Sequence, residues 1–217
     1  MDKLADVNRK AVDGLLTLRA EFETAESPMV ISGCIGPRGD GYDPGTIMTP
    51  DEAQAYHAWQ VGIFAASEAD VLTALTITNS NEAIGLTRAA QAAGIPVVMS
   101  FTVETDGNLP TGHPLKDAIA EVDEATGNGP VYHVVNCAHP THFERVRKGE
   151  PWAERVRGLR ANASMMSHAE LEDGDSVRLG AEYAAIRKVN SWNNVLGGCC
   201  GTDHRHVNEI AKVALGE

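Results

Sequence analysis

Short apolar runs separated by stretches of helical period recur along the chain. The runs "VISGCIGP" (30–37), "DVLTALTIT" (70–78), "PVVMSFTVE" (96–104), "VYHVVNCA" (131–138), "LRANAS" (159–164) and "NNVLGGCC" (193–200) read as buried strands. They are rich in β-branched residues and bounded by Gly, Pro, Asn or Asp. Between them the pattern predicts helices. One opens at Thr49 as N-cap with Pro50 at its first position and acids in its first turn, the chemistry that suits the free amides there. Another runs from about residue 80 and ends at Gly94, with Pro96 leading into the next strand. Residues 2–24 carry apolar positions at helical spacing, and "TDHRHVNEIAKVAL" is a closing helix capped by Thr202 or Asp203.

Strands that are apolar on both faces and alternate with helices imply a parallel sheet covered by helices. The six strands recur every ~33 residues, close to the pitch of a (β/α)8 barrel. A doubly wound sheet has the same pitch, but no strand is followed by a compact phosphate-binding turn. The nearest, "GCIGPRGDGYDPG", lacks the glycine spacing and runs into a long loop. The prediction is therefore an α/β fold of the TIM-barrel type with parallel strands and about six βα units. Without linker, repeat or charge block, residues 1–217 read as a single domain, 1–27 forming a helix ahead of the first strand present.

Composition narrows the partners. A net charge of −12 repels both nucleic acid and anionic membrane surfaces. No apolar run approaches the ~20 residues that span a bilayer, and the N-terminus lacks the basic-then-apolar order of a secretory signal. The expectation is a cytoplasmic protein acting on small molecules. Its four cysteines, Cys34, Cys137, Cys199 and Cys200, are too few for a disulfide scaffold, and in that compartment they read as metal ligands or catalytic groups.

Cys199 and Cys200 stand side by side, with Gly197 and Gly198 before them and Gly201 after. In a regular strand neighbouring side chains point to opposite faces. Flanking glycines let the backbone leave strand geometry, so that both thiols can converge. Cys137 closes an earlier strand and falls on the same rim, the C-terminal face where parallel α/β barrels place their sites. Three thiols there suit Zn2+ with its fourth position open, the arrangement of a catalytic zinc. The competing readings are inert buried thiols and a strained vicinal disulfide. Cys34, alone in its strand, reads as buried and inert. His139, His204 and His206 read as neighbouring polar groups, because a two-residue spacing at a helix start turns His204 and His206 apart.

"VVNCAHP" followed by "LGGCCGT" closely resembles the homocysteine S-methyltransferase family. The resemblance extends through "ISGCIGPRGDGY", "VVMSFTVETDGNLPTG" and "GLRANASMMSH". It implies that Cys137, Cys199 and Cys200 bind zinc and that Asn136 lies at the substrate. It further implies that a methyl group passes from an activated donor to the thiol of homocysteine, giving methionine. Two departures stand out. The family's Glu-Thr pair, which holds the amino group of homocysteine, is here Leu75-Thr76. Glu104, ending the next strand, is the candidate replacement, whereas Glu82 reads as a solvated helix residue. The second departure is the start of the barrel: the resemblance implies that the chain opens in the helix before the third barrel strand, N-terminally incomplete. Unpaired strand edges then predict self-association. Two alternatives remain: a non-catalytic zinc- or thiol-binding remnant, and a thiol-redox protein using Cys199 and Cys200.

Overall fold

The computed structural model describes residues 2–142, 150–166 and 174–216. In chain order its elements are α1 (Asp2–Phe22), β1 (Ser32–Ile35), α2 (Pro50–Ala65), β2 (Val71–Ile77), α3 (Ser80–Ala93) and β3 (Val97–Phe101). Then come α4 (Leu115–Thr126), β4 (His133–Asn136), a 3-10 turn (Pro151–Arg155), β5 (Val156–Ala161), α5 (Ser176–Val189), β6 (Val195–Gly198) and α6 (His204–Leu215). All neighbouring strands pair in parallel, and their order in the sheet follows the chain from β1 to β6. The result is a curled half-barrel with α/β architecture. No described helix is long and apolar enough to cross a membrane.

The local signals act as expected. Thr49 accepts from the Glu52 amide while Glu52 accepts from the Thr49 backbone, a reciprocal cap on α2. Gly94 ends α3 in the left-handed conformation. Leu72, Ala74, Ile77, Met99, Phe101, Val135, Leu159 and Ala161 face the helices and form the core with them. Strand alternation therefore turns Cys34, Leu75, Ser100, Asn136, Arg160 and Gly197 to the concave side.

Four expectations change. β5 begins at Val156 and ends at Ala161, three residues earlier than the apolar run suggests. Val156 packs into the core, and an irregular register follows it. Asn162 and Ala163 leave the sheet, donating to the carbonyls of Ala138 and Cys200. Cys34 is exposed, because it faces the concave side of an edge strand while Ile35 takes the core-facing position. Glu82 is buried, not solvated. One of its carboxylate oxygens accepts from His57 Nε2 at 2.9 Å and from the Arg38 amide at 2.6 Å, which holds the β1–α2 loop against α3. Finally, His206 is buried as part of the α6 cap, with Nε2 on the Gly174 carbonyl and Nδ1 beside Asp203, while His204 is exposed.

Candidate metal centre

The three cysteines reach one point by two different backbone devices. Cys137, the residue after β4, has φ 54°, a left-handed conformation uncommon outside glycine. Its amide donates to the Arg160 carbonyl at 3.2 Å. On β6 the chain turns immediately after the sheet. The Cys199 amide donates to Ala161 O, and Thr202 returns to the Cys199 carbonyl with both its amide and its hydroxyl. Gly201 supplies φ 73°. A side chain at position 198 would run into the Thr202 hydroxyl, so glycine is required there for the turn to close. The Cys200 amide donates to Asn162 Oδ1 at 3.1 Å.

These devices bring the sulfurs of Cys137, Cys199 and Cys200 within 4.8 Å of one another. Cys137 Sγ lies 2.7 Å from Cys199 Sγ and 3.8 Å from Cys200 Sγ. The cysteines are free. A hydrogen bond from Cys199, joined by others from Tyr42, Cys200 and Thr76, outweighs burial and lowers the Cys137 thiol to about 5. The same bond to Cys137, with burial, pushes Cys199 up, and burial with the charge on Cys137 pushes Cys200 up. Cys137 is thus the thiol of the three that most readily gives up its proton. Such a cluster fits a soft or borderline divalent cation, which replaces the thiol protons with sulfur coordination.

Asn136 organises the floor below. Its Oδ1 accepts from the Thr76 amide at 2.8 Å and from Ser100 Oγ at 2.5 Å. Its Nδ2 donates to Thr76 Oγ1 at 2.8 Å and points at Cys199 Sγ from 3.9 Å. Thr76 has φ 60°, a strained state for a β-branched residue, and the paired bonds with Asn136 hold it. Burial pushes the Tyr42 phenol up, as does its hydrogen bond to Cys137. Tyr42, Glu104, Asn162 and His142 line a small cavity against Cys137.

Of the residues named from the sequence, the three cysteines, Asn136 and Glu104 come together here. Leu75 lies on the concave face, as strand alternation requires. His139 does not join the sulfurs. It pairs with Glu182 at 3.0 Å beside a neighbouring cavity of about 400 Å3 that Arg178, Met165 and Met166 also line. Tyr42, Thr76, Ser100 and Asn162 were not singled out by sequence. Only the proximity of Thr76 to Leu75 and of Asn162 to the β5 rim could have signalled them.

The model of the homocysteine S-methyltransferase family matches residues 1–214, and the chain belongs to that family. No match was found among curated proteins. Among solved structures, the chain is similar to the homocysteine methyltransferase MmuM from Escherichia coli in its apo, metallated and oxidized forms. Identities are 18%, 19% and 20%, with TM-scores of 0.66, 0.67 and 0.69. The alignments cover 96%, 98% and 95% of this chain and 71%, 68% and 68% of those chains. At that identity the likeness establishes the fold.

Proposed function

We propose that this chain binds zinc through Cys137, Cys199 and Cys200 and transfers a methyl group from an activated donor to the thiol of homocysteine, forming methionine in the cytoplasm. The observation that carries this reading is the convergence of three sulfurs, on a floor held by Asn136, at the C-terminal rim of the sheet. Held by these three sulfurs, zinc would supply a positive charge that keeps an acceptor thiol deprotonated at neutral pH. The acceptor thiolate then attacks the methyl carbon of a sulfonium, quaternary ammonium or methylated cofactor. A sulfur–carbon bond forms as the donor's bond to methyl breaks, and that electron pair leaves with the donor. The chain's own residues position the partners. Asn136 orients Cys199, Asn162 fixes the Cys200 backbone, and Glu104 lines the same small cavity as Cys137.

A second reading, a zinc- or thiol-binding protein without transferase activity, is supported by position 75: the resemblance sets Leu75 where the family carries its ammonium-binding glutamate. Two measurements separate the readings. Metal analysis should find about one zinc per chain, mostly lost in Cys137→Ala, Cys199→Ala or Cys200→Ala and retained in Cys34→Ala. Full retention in Cys200→Ala would defeat the three-sulfur assignment. Methyl transfer to homocysteine by the zinc-loaded chain supports the enzyme, and its absence with zinc bound supports the binding protein.

A further inference from the structure

In the C-terminal half of the strands, the concave face presents Cys34, Leu75, Ser100, Asn136, Arg160 and Gly197, and Arg160 alone is charged. The register Asn136↔Arg160↔Gly197 places it in the row directly beneath the sulfurs. Its carbonyl accepts the Cys137 amide, so its backbone is tied to a candidate ligand. Its side chain lies across Gly197: a Cβ at that glycine would stand 3.5 Å from Arg160 Cγ and 3.6 Å from Nε. The arginine side chain therefore runs along β6 at van der Waals distance from Gly197, beside the site.

Most other arginines in the described structure are paired. Arg155 is forked onto Asp123, Arg19 meets Asp70, and Arg178 meets Glu182. Among the described residues no carboxylate or carbonyl accepts from the Arg160 guanidinium, and Arg160 is exposed on the concave face. A planar guanidinium with its donors free is the geometry that takes a carboxylate in two parallel hydrogen bonds. Leu75, on the same face, removes the anion that an ammonium would need. The polarity of this wall is cationic.

We propose that Arg160 is the specificity residue of the acceptor site and that it selects the acceptor by its carboxylate. The substrate class is therefore mercaptoalkanoates, with or without an α-ammonium group, of which homocysteine is one member. This deepens the thiol-acceptor reading above and rests on it.

The test is calorimetric binding of three thiols to the purified, zinc-loaded chain. The thiols are homocysteine, 4-mercaptobutanoate (no ammonium) and 3-mercaptopropylamine (no carboxylate). Homocysteine and 4-mercaptobutanoate should bind within about threefold of each other, and the amine about tenfold or more weakly, the scale of one charge-assisted contact. Arg160→Gln should weaken the two carboxylates about tenfold or more and leave the amine unchanged. Arg160→Lys should restore part of the loss. Because Arg160 is exposed, the variants should keep the parental melting temperature and zinc content. Equal binding of the amine and the carboxylates, or an Arg160→Gln chain that binds all three as the parent does, overturns the proposal while leaving the thiol-acceptor reading intact. Failure of all three thiols to bind a fully zinc-loaded chain overturns both.

Discussion

At residue scale, the proposed acceptor site makes position 75 the one expected to govern whether an acceptor's ammonium contributes to binding. Leucine offers it nothing, so Leu75→Glu should create a preference for homocysteine over 4-mercaptobutanoate of about tenfold, the value of a new charge-assisted hydrogen bond. If the parent chain already shows that preference, Glu104 holds the ammonium and Leu75 is not the deciding position. Asn136 is the second residue with large leverage. Asn136→Ala strips partners from the Thr76 amide and from Ser100 Oγ. It also removes the bonds that hold Thr76 in its left-handed state. A loss of about 1–3 kcal/mol is expected, measurable by denaturant unfolding, since buried polar groups left unpaired cost that much. Zinc affinity should fall with it, because the Cys199 sulfur loses its orienting amide. Unchanged unfolding would show that Asn136 is not the support described.

At element scale, one buried polar triad joins three elements at the end of the sheet opposite the sulfurs. His133 begins β4 and donates from Nε2 to Asp123 of α4 at 3.0 Å, while Arg155 of the 3-10 turn forks onto the same carboxylate at 2.7 and 2.9 Å. Burial lowers the His133 imidazole below its ordinary 6.5. Burial alone would raise the Asp123 carboxyl, but the bonds from His133 and Arg155 outweigh it and hold it at about 2. The signs follow by linkage. The unfolded chain takes up a proton at His133 more readily than the folded one, so stability falls as pH drops below about 6.5. The contribution of Asp123 is complete above its ordinary 3.8 and is lost between there and about pH 2. Unfolding midpoints at pH 7.5 and pH 5 should therefore differ more in the parent than in His133→Gln. An equal pH dependence in both chains would remove His133 from the account.

On the scale of the whole molecule, strand order running from β1 to β6 leaves those two strands as the edges of the described sheet. Edges present unpaired backbone groups that readily add another strand. Leu4, Val7, Leu15, Leu18 and Phe22 of α1 are also exposed at a spacing that places them along one side of the helix. We expect the purified chain to self-associate with rising concentration, as sedimentation velocity would show. A monomer that unfolds cooperatively and stays monomeric at high concentration would mean that the edges are protected within the single chain.

The sequence by itself determined the family, the parallel α/β architecture and the three sulfurs. These depend on local periodicity, caps such as Thr49 and Gly94, and two short motifs that retain their meaning in isolation. Which face a residue occupies, and what meets it there, was decided only by the tertiary structure. Cys34 passed from the core to the concave side because β1 is an edge. Glu82 was buried because His57, 25 residues earlier, and the Arg38 amide close over it. Thr76 entered the left-handed region under the hold of Asn136, 60 residues away. Arg160, an unremarkable charge in an apolar run, came to lie beneath the sulfurs once strand register set it between Asn136 and Gly197. Each of these outcomes depends on contacts between segments far apart in the chain, and no local pattern encodes such contacts.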